Sequence, residues 1–460
     1  MNLSSFDASL RRAELTSLAA STPFPPENDR VNMHIHTFFS YNGEGWSPSQ
    51  IAYEMKKLGL YSAAICDFDV LQGMDEFLAA GDILQLRTAV GFESRVFFKE
   101  YANVDINSPG EAGVFYFMGF GFVKKPEKGS QAEKILADML ERSHTRNRAV
   151  IARINAKLDA FQLDYDKDVL PITPEGNATE RHICVAFYEK SLKVLGSPEK
   201  AAAFWARIFN AKLEDMIAKI NNANAFTDLL RSKLIKRGGI GYQQPDDKTF
   251  PALDTVISMI RECRAIPMTA WLDGDTEGEA DPYAQLKLLK DKGVAAVNII
   301  PDRNWNFKDP EVAAHKAANL DKYVEAALAL DLPINVGTEG NKPGQRLVDD
   351  FDAPALKKHQ KTFLKGAQVM VGHTRLLRFA DLSFIDEKAD KMFKSTAEKI
   401  DFFASVGALP APISSPLRFS SIRTPPRISI SSRPPPRTAA GDSFNVTHLN
   451  STIFNFHQQE

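Results

Sequence analysis

Two histidines one residue apart, His34-Ile35-His36, close a short apolar segment near the start of the chain. Side chains alternate between the faces of a strand, so both imidazoles fall on one face at its carboxyl end, where they can chelate one metal ion. An HxH pair alone is more often packed or hydrogen-bonded than ligating, so the rest of the sequence has to supply partners. Three other segments do so. Cys66-Asp67-Phe68-Asp69 and Gly337-Thr338-Glu339-Gly340-Asn341 end two strands and Gly91-Phe92-Glu93 lies within another, each placing a carboxylate where barrel enzymes assemble their sites.

Other residues are positioned to line the same cleft. Trp271 precedes an acidic loop, Leu272 to Glu279, in which Asp273 lies nearest the strand end and is the candidate proton acceptor. Pro301-Asp302-Arg303 presents a guanidinium able to grip a phosphate or carboxylate. A basic cluster, Arg142-Ser143-His144-Thr145-Arg146-Asn147-Arg148, and a helix opening Thr179-Glu180-Arg181-His182 supply Arg146 and His182 as contacts that reach over the site from a lid.

The elements that must carry these residues are short apolar runs alternating with 3.6-period stretches, the pattern of parallel βα units. Strands are predicted at residues 31–36, 61–67, 88–98, 114–120, 266–272, 295–301 and 332–339. Between residues 124 and 250 the strand signal disappears and helical periodicity takes over, as in Ile135, Met139, Ile151, Ile154 and Leu158. This predicts an all-helical insertion, leaving the barrel at its carboxyl end as a βα loop does.

Composition bounds what these elements build. The chain has 460 residues, 44% apolar and 25% charged, which excludes collagen, coiled coil and wholesale disorder. The net charge of −2 gives no general positive field for nucleic acid or an anionic membrane, so the expected partner is a small molecule. No apolar run approaches the roughly 18 residues of a membrane span, and residues 1–30 show no basic segment followed by an apolar h-region, so a soluble protein is expected. Cys66, Cys184 and Cys263 are far apart without CxxC spacing, which fits a reducing, cytoplasmic compartment. From Leu409 to Arg437 the composition turns to Pro, Ser and Arg, predicting a disordered tail. Five Arg and two acids follow Gly407, so the first 407 residues carry −5.

The segments Met33-His34-Ile35-His36-Thr37 with Ser40 and Gly43, Asp67-Phe68-Asp69 and Gly91-Phe92-Glu93, in this order and spacing, resemble the PHP (polymerase and histidinol phosphatase) family. The likeness covers residues 32–120 and continues more weakly through 267–275 and 337–341. It implies a distorted seven-stranded barrel whose carboxyl-end site holds up to three divalent metals and hydrolyses phosphoesters. By this resemblance the ligands of the first metal map onto His34, His36, Glu93 and Glu339. The remaining His ligands of the second metal are replaced by Tyr116 and Trp271, and those of the third by Asn42, Phe68 and Asn341. The resemblance therefore implies one divalent ion, Zn, Mn or Fe(II), without the two-metal clamp on attacking and leaving oxygens.

The sequence thus predicts an α/β protein, a distorted (β/α)7 TIM-like barrel of residues 31–123 and 251–404. An N-terminal arm (1–30), the helical insertion (124–250) and the tail (405–460) complete it. The predicted function is a metal-dependent hydrolase of a small anionic compound, with Asp67 or Asp273 taking a proton from water and Arg303 orienting the anion. A single-metal lyase or isomerase, or a non-catalytic binding protein, is the alternative on the same barrel, and a homo-oligomer is compatible with either.

Overall fold

The computed structural model describes residues 2–411. Seven strands form one sheet in chain order: β1 (Val31–Ile35), β2 (Ser62–Phe68), β3 (Arg87–Phe97), β4 (Val114–Phe120), β5 (Ile266–Trp271), β6 (Ala296–Ile299) and β7 (Ile334–Val336). Their near-continuous burial explains why they read as plain apolar runs, since helices cover the outer faces. The sheet curls until its edges nearly meet. Just past β7, His36 donates its backbone N–H to the Glu339 carbonyl and Glu339 donates to that of His34, both at 2.7 Å. This approach needs Gly337, where a Cβ would collide with the backbone nitrogen of His34. The seam where the barrel closes therefore carries the two histidines.

β4 departs from the predicted parallel pattern: it runs antiparallel to both β3 and β5. The cause is the connection before it. A parallel return needs a crossover that carries the chain back along the sheet, usually a helix, and between β3 and β4 the chain forms only the short 3-10 turn Lys99–Tyr101. Residues 98–113 instead fold back as a broad hairpin, where Asn107 bonds the backbone of Tyr116 in both directions and donates to the Ala270 carbonyl. β4 consequently ends at the amino side of the barrel, and the insertion leaves from there rather than from the carboxyl side.

One helix undoes that displacement. Ser130 caps the helix Gln131–Asn155, which at 25 residues spans about 37 Å. Its Ile135 and Met139 pack in the barrel's outer core, whereas Ile151 and Ile154 belong to a separate apolar cluster. That cluster is the core of the insertion, built around the buried Trp205 with Phe161, Phe187, Phe204 and Phe209. The helix is thus a strap that lifts the insertion to the carboxyl end.

The N-terminal segment is more than a polar arm. Its helix Ala8–Ser21 buries Leu15, and Arg11 grips both carboxylate oxygens of Glu76. At the other end the helix Thr396–Ala408 continues past residue 404, and Arg87 and Arg375 bond the Leu409 carbonyl. The rest of the predicted disordered tail, from residue 412, lies outside the described residues.

Candidate metal centre

His34 and His36 leave the end of β1 toward Glu93 of β3. Their Nε2 atoms stand 3.3 and 3.2 Å from Glu93 Oε2. The three ligand atoms lie within 4.8 Å of one another, and all three residues are buried. Burial alone would raise the Glu93 carboxyl, yet the two imidazoles hold it down at about 2. For His36, burial opposes the charged form, but Glu93, backed by Asp67 and Glu339, outweighs it and raises the pKa. His36 Nε2 is buried without a hydrogen-bond partner among the described residues. An orphaned imidazole nitrogen beside a carboxylate is a donor set that fits a divalent cation.

Glu339, the fourth ligand implied by the resemblance, is turned away. Arg303 Nη2 reaches both of its oxygens at 3.0 and 3.1 Å, and Asn341 donates to Oε2 at 3.0 Å. Burial raises its pKa, but Arg303 together with His34 and His36 outweighs that effect, so the carboxyl stays ionised in this pair. The residues assigned to metal and to substrate therefore hold each other at the cavity lip.

The replaced ligand positions have found other work. Phe68 stacks on His36 at 4.5 Å between ring centroids. Asn42 donates to the His36 carbonyl and accepts from the N–H groups of Glu44 and Trp46. Trp271 stacks on Tyr323 and Tyr116 faces Phe68, both on the cavity wall. Among the described residues, His34, His36 and Glu93 are the one grouping of three ligand-type side chains.

The two carboxylates chosen as proton acceptors do not fit that role. Asp67 accepts from Thr37 N–H (2.7 Å), Thr37 Oγ1 (2.8 Å) and Ser40 Oγ (2.6 Å), so it clamps the turn after β1 and does not line the cavity. Asp273 is paired with Lys316 at 2.7 Å on the outer loop. Asp69, next in the same triplet as Asp67, is better placed. It lines the cavity, its Oδ1 accepts from Ser94 Oγ at 2.6 Å, and burial raises its pKa despite Arg146 and Arg95 nearby.

A cavity of about 820 Å³ opens above His34 and Glu93, between the barrel mouth and the insertion. The basic cluster divides by helical period. Arg142 and Arg146 face the cavity, whereas His144 and Arg148 turn to Tyr165 on another face. Arg146 lies over the Phe250 ring at 4.8 Å, and Arg95 lies over the same ring at 4.5 Å. Arg95 is engaged with Glu180 and Glu111, and Arg181 with Asp228. Arg146 has no ion-pair partner among the described residues, and burial beside Arg95 lowers its pKa to about 10. Arg95 was legible in principle, since it lies two residues after Glu93 and so on the same face of β3.

His182 lies outside the cavity lining. As the third residue of the helix Glu180–Leu195 it completes a capping box, its Nδ1 accepting from Thr179 N–H at 3.0 Å. Burial lowers its pKa to about 3, so it is a neutral structural imidazole.

No family model and no curated protein matches the chain. Among solved structures it is similar to an inferred metal-dependent phosphoesterase from Bifidobacterium adolescentis, with 17% identity and a TM-score of 0.44, covering 74% of this chain and 98% of that one. It is also similar to an amidohydrolase from Chromobacterium violaceum with bound sulfate and no metal, at 13% identity and a TM-score of 0.47, covering 73% and 96%. Likenesses this distant carry no argument about chemistry, which rests on the residues themselves. Among the described residues no helix is long and apolar enough to cross a membrane.

Proposed function

We propose that the chain is a metal-dependent hydrolase of a small anionic compound, of the PHP type that its motifs resemble, holding one divalent ion on His34, His36 and Glu93. The observation that supports this reading best is the convergence of two imidazoles and a carboxylate, within 4.8 Å, at the floor of a cavity walled by the Arg146 guanidinium, which has no ion-pair partner among the described residues. Zn, Mn and Fe(II) all suit such a donor set. When bound, the ion supplies Lewis acidity and lowers the pKa of water at the site.

The chain's own residues do the rest. Arg146, desolvated against Phe250, binds the anionic group, and Arg95 beside it adds to the field. Asp69 takes the proton at its uncommitted oxygen, its raised pKa suiting a group that accepts and then releases a proton. Arg303, exposed at the lip and held by Glu339, is free to exchange that carboxylate for substrate. Trp271 and Phe68 close the apolar side and exclude water. The three free cysteines, all buried, suit the reducing compartment proposed for the chain.

Incubation of the Mn²⁺- or Zn²⁺-loaded protein with phosphomonoesters and N-acyl amino acids in H₂¹⁸O tests the reading. Incorporation of one ¹⁸O into the product supports a hydrolase. Turnover without incorporation would move the chain to the lyase or isomerase class, and absence of turnover on every anionic class would remove the enzymatic reading.

A further inference from the structure

The two imidazoles of the centre sit in different hydrogen-bond settings. Asn335 Nδ2 donates to the Met33 carbonyl at 3.0 Å and to Asn298 Oδ1 at 2.9 Å. A backbone carbonyl can only accept, so the Asn335 amide has one allowed orientation, and its own Oδ1 is left buried without a partner among the described residues. That orientation dictates the next. Asn298 must accept from Asn335 through Oδ1, so it turns its NH₂ to His34 Nδ1, 3.1 Å away. His34 Nδ1 then accepts, and the one proton of the neutral ring sits on Nε2, facing Glu93. All three side chains are at most 1% exposed, so solvent does not compete.

His36 has the opposite arrangement. Ser40 Oγ spends its proton on Asp67 at 2.6 Å, which leaves the hydroxyl oxygen to accept from His36 Nδ1 at 3.3 Å. In the neutral ring the proton is then on Nδ1, and Nε2 presents its lone pair to the centre. Metal-ligating histidines usually donate their other N–H to an acceptor in this way. His36 is preset to ligate, and His34 is not.

We propose that Asn298 and Asn335 form a tautomer lock that sets His34 as a hydrogen-bond donor to Glu93 and holds down the metal affinity of the centre. This rests on the reading of His34 as a ligand. For His34 to ligate through Nε2, that nitrogen loses its proton and Nδ1 gains one, the ring staying neutral. Asn298 then turns its Oδ1 to Nδ1–H, and Asn335 turns so that its unpartnered Oδ1 takes the Asn298 NH₂. The Met33 carbonyl loses its donor in exchange. Asn298 and Asn335 are positioning residues, acting through His34.

Asn298→Asp replaces the donor by an acceptor and removes the lock. Imidazole ¹⁵N NMR on the metal-free chain, with His34 assigned by its absence in His34→Gln, should show the Nε2–H tautomer in wild type and Nδ1–H in Asn298→Asp. Zn²⁺ titration should then give about tenfold or tighter binding in the variant, the scale on which partners of metal-bound histidines act. Asn335→Leu, which frees Asn298 to turn, is the second variant and should shift part of the His34 population to Nδ1–H. Nδ1–H in the wild type overturns the lock, as does a tautomer change with unaltered Zn²⁺ affinity. If neither wild type nor variant binds Zn²⁺, the metal reading of His34 falls, and the wild-type tautomer still decides whether the lock exists.

Discussion

At the scale of single residues, the cavity separates groups already committed to one another from groups left open. Arg146 is open, and a charged hydrogen bond to ligand contributes about 1.5–3 kcal/mol. Arg146→Ala should therefore weaken binding of an anionic ligand, with inorganic phosphate as the probe, by about 10- to 150-fold while bound metal is unchanged. Wild-type phosphate affinity in the variant would remove Arg146 from the site. Asp69→Asn should lower kcat by about 10²- to 10⁴-fold, the usual contribution of a positioned proton acceptor. Equal rates in the variant would return the role to Asp67 or Asp273, both of which are tied up. Glu339 behaves differently, since its carboxylate holds Arg303. Glu339→Gln should alter KM more than metal content, and loss of the ion in that variant would show that Glu339 swings in as a ligand.

At the scale of elements, two buried histidines lock helices and give the fold a predictable response to acid. His373, on the helix Gln360–Ala380, donates from Nε2 to the Gly121 carbonyl and accepts from Phe384 N–H at Nδ1. Both nitrogens are spent, so protonation would set Nδ1–H against an N–H. Burial lowers its pKa to about 4, and His182 in its capping box is lowered to about 3. Below the ordinary histidine value near 6.5 the unfolded chain binds protons that the folded one refuses. Stability is therefore full above that pH and falls as pH drops toward 4, by about 1.4 kcal/mol per pH unit for each such group. Denaturant unfolding between pH 7 and 5 should show this loss, and His373→Gln, which keeps a donor and an acceptor without titrating, should show a shallower one. Identical slopes would mean that other groups govern the acid response.

The elements also show how far the sequence could be read. All seven strands were legible to within a few residues, because buried strands leave short apolar runs bounded by turn residues. The direction of β4 was not, since a buried apolar run reads the same in either direction and only the loop before it decides. His34, His36 and Glu93 could be read from local spacing, but the pairing of Glu339 with Arg303 joins two loops after different strands. Asn298 and Asn335 carried a visible signal, a lone amide inside a short apolar strand, that pointed to polar partners without saying which.

At the scale of the molecule, the barrel supplies the centre, the insertion supplies Arg146, and the strap helix fixes the distance between them. The last described residues also contribute. A chain ending at Ala404 lacks the buried Val406 and the carbonyls that Arg87 and Arg375 bind, and its Tm should fall by several degrees. An unchanged Tm would show that this docking adds nothing. The central claim is that two imidazoles and one carboxylate at the barrel mouth hold a metal, and elemental analysis measures it most directly. Protein purified from Zn- and Mn-supplemented medium should carry one divalent ion per chain, and His36→Ala, which removes the nitrogen poised to ligate, should carry almost none. A wild type without metal, or a His36→Ala variant that keeps a full equivalent, would contradict the account.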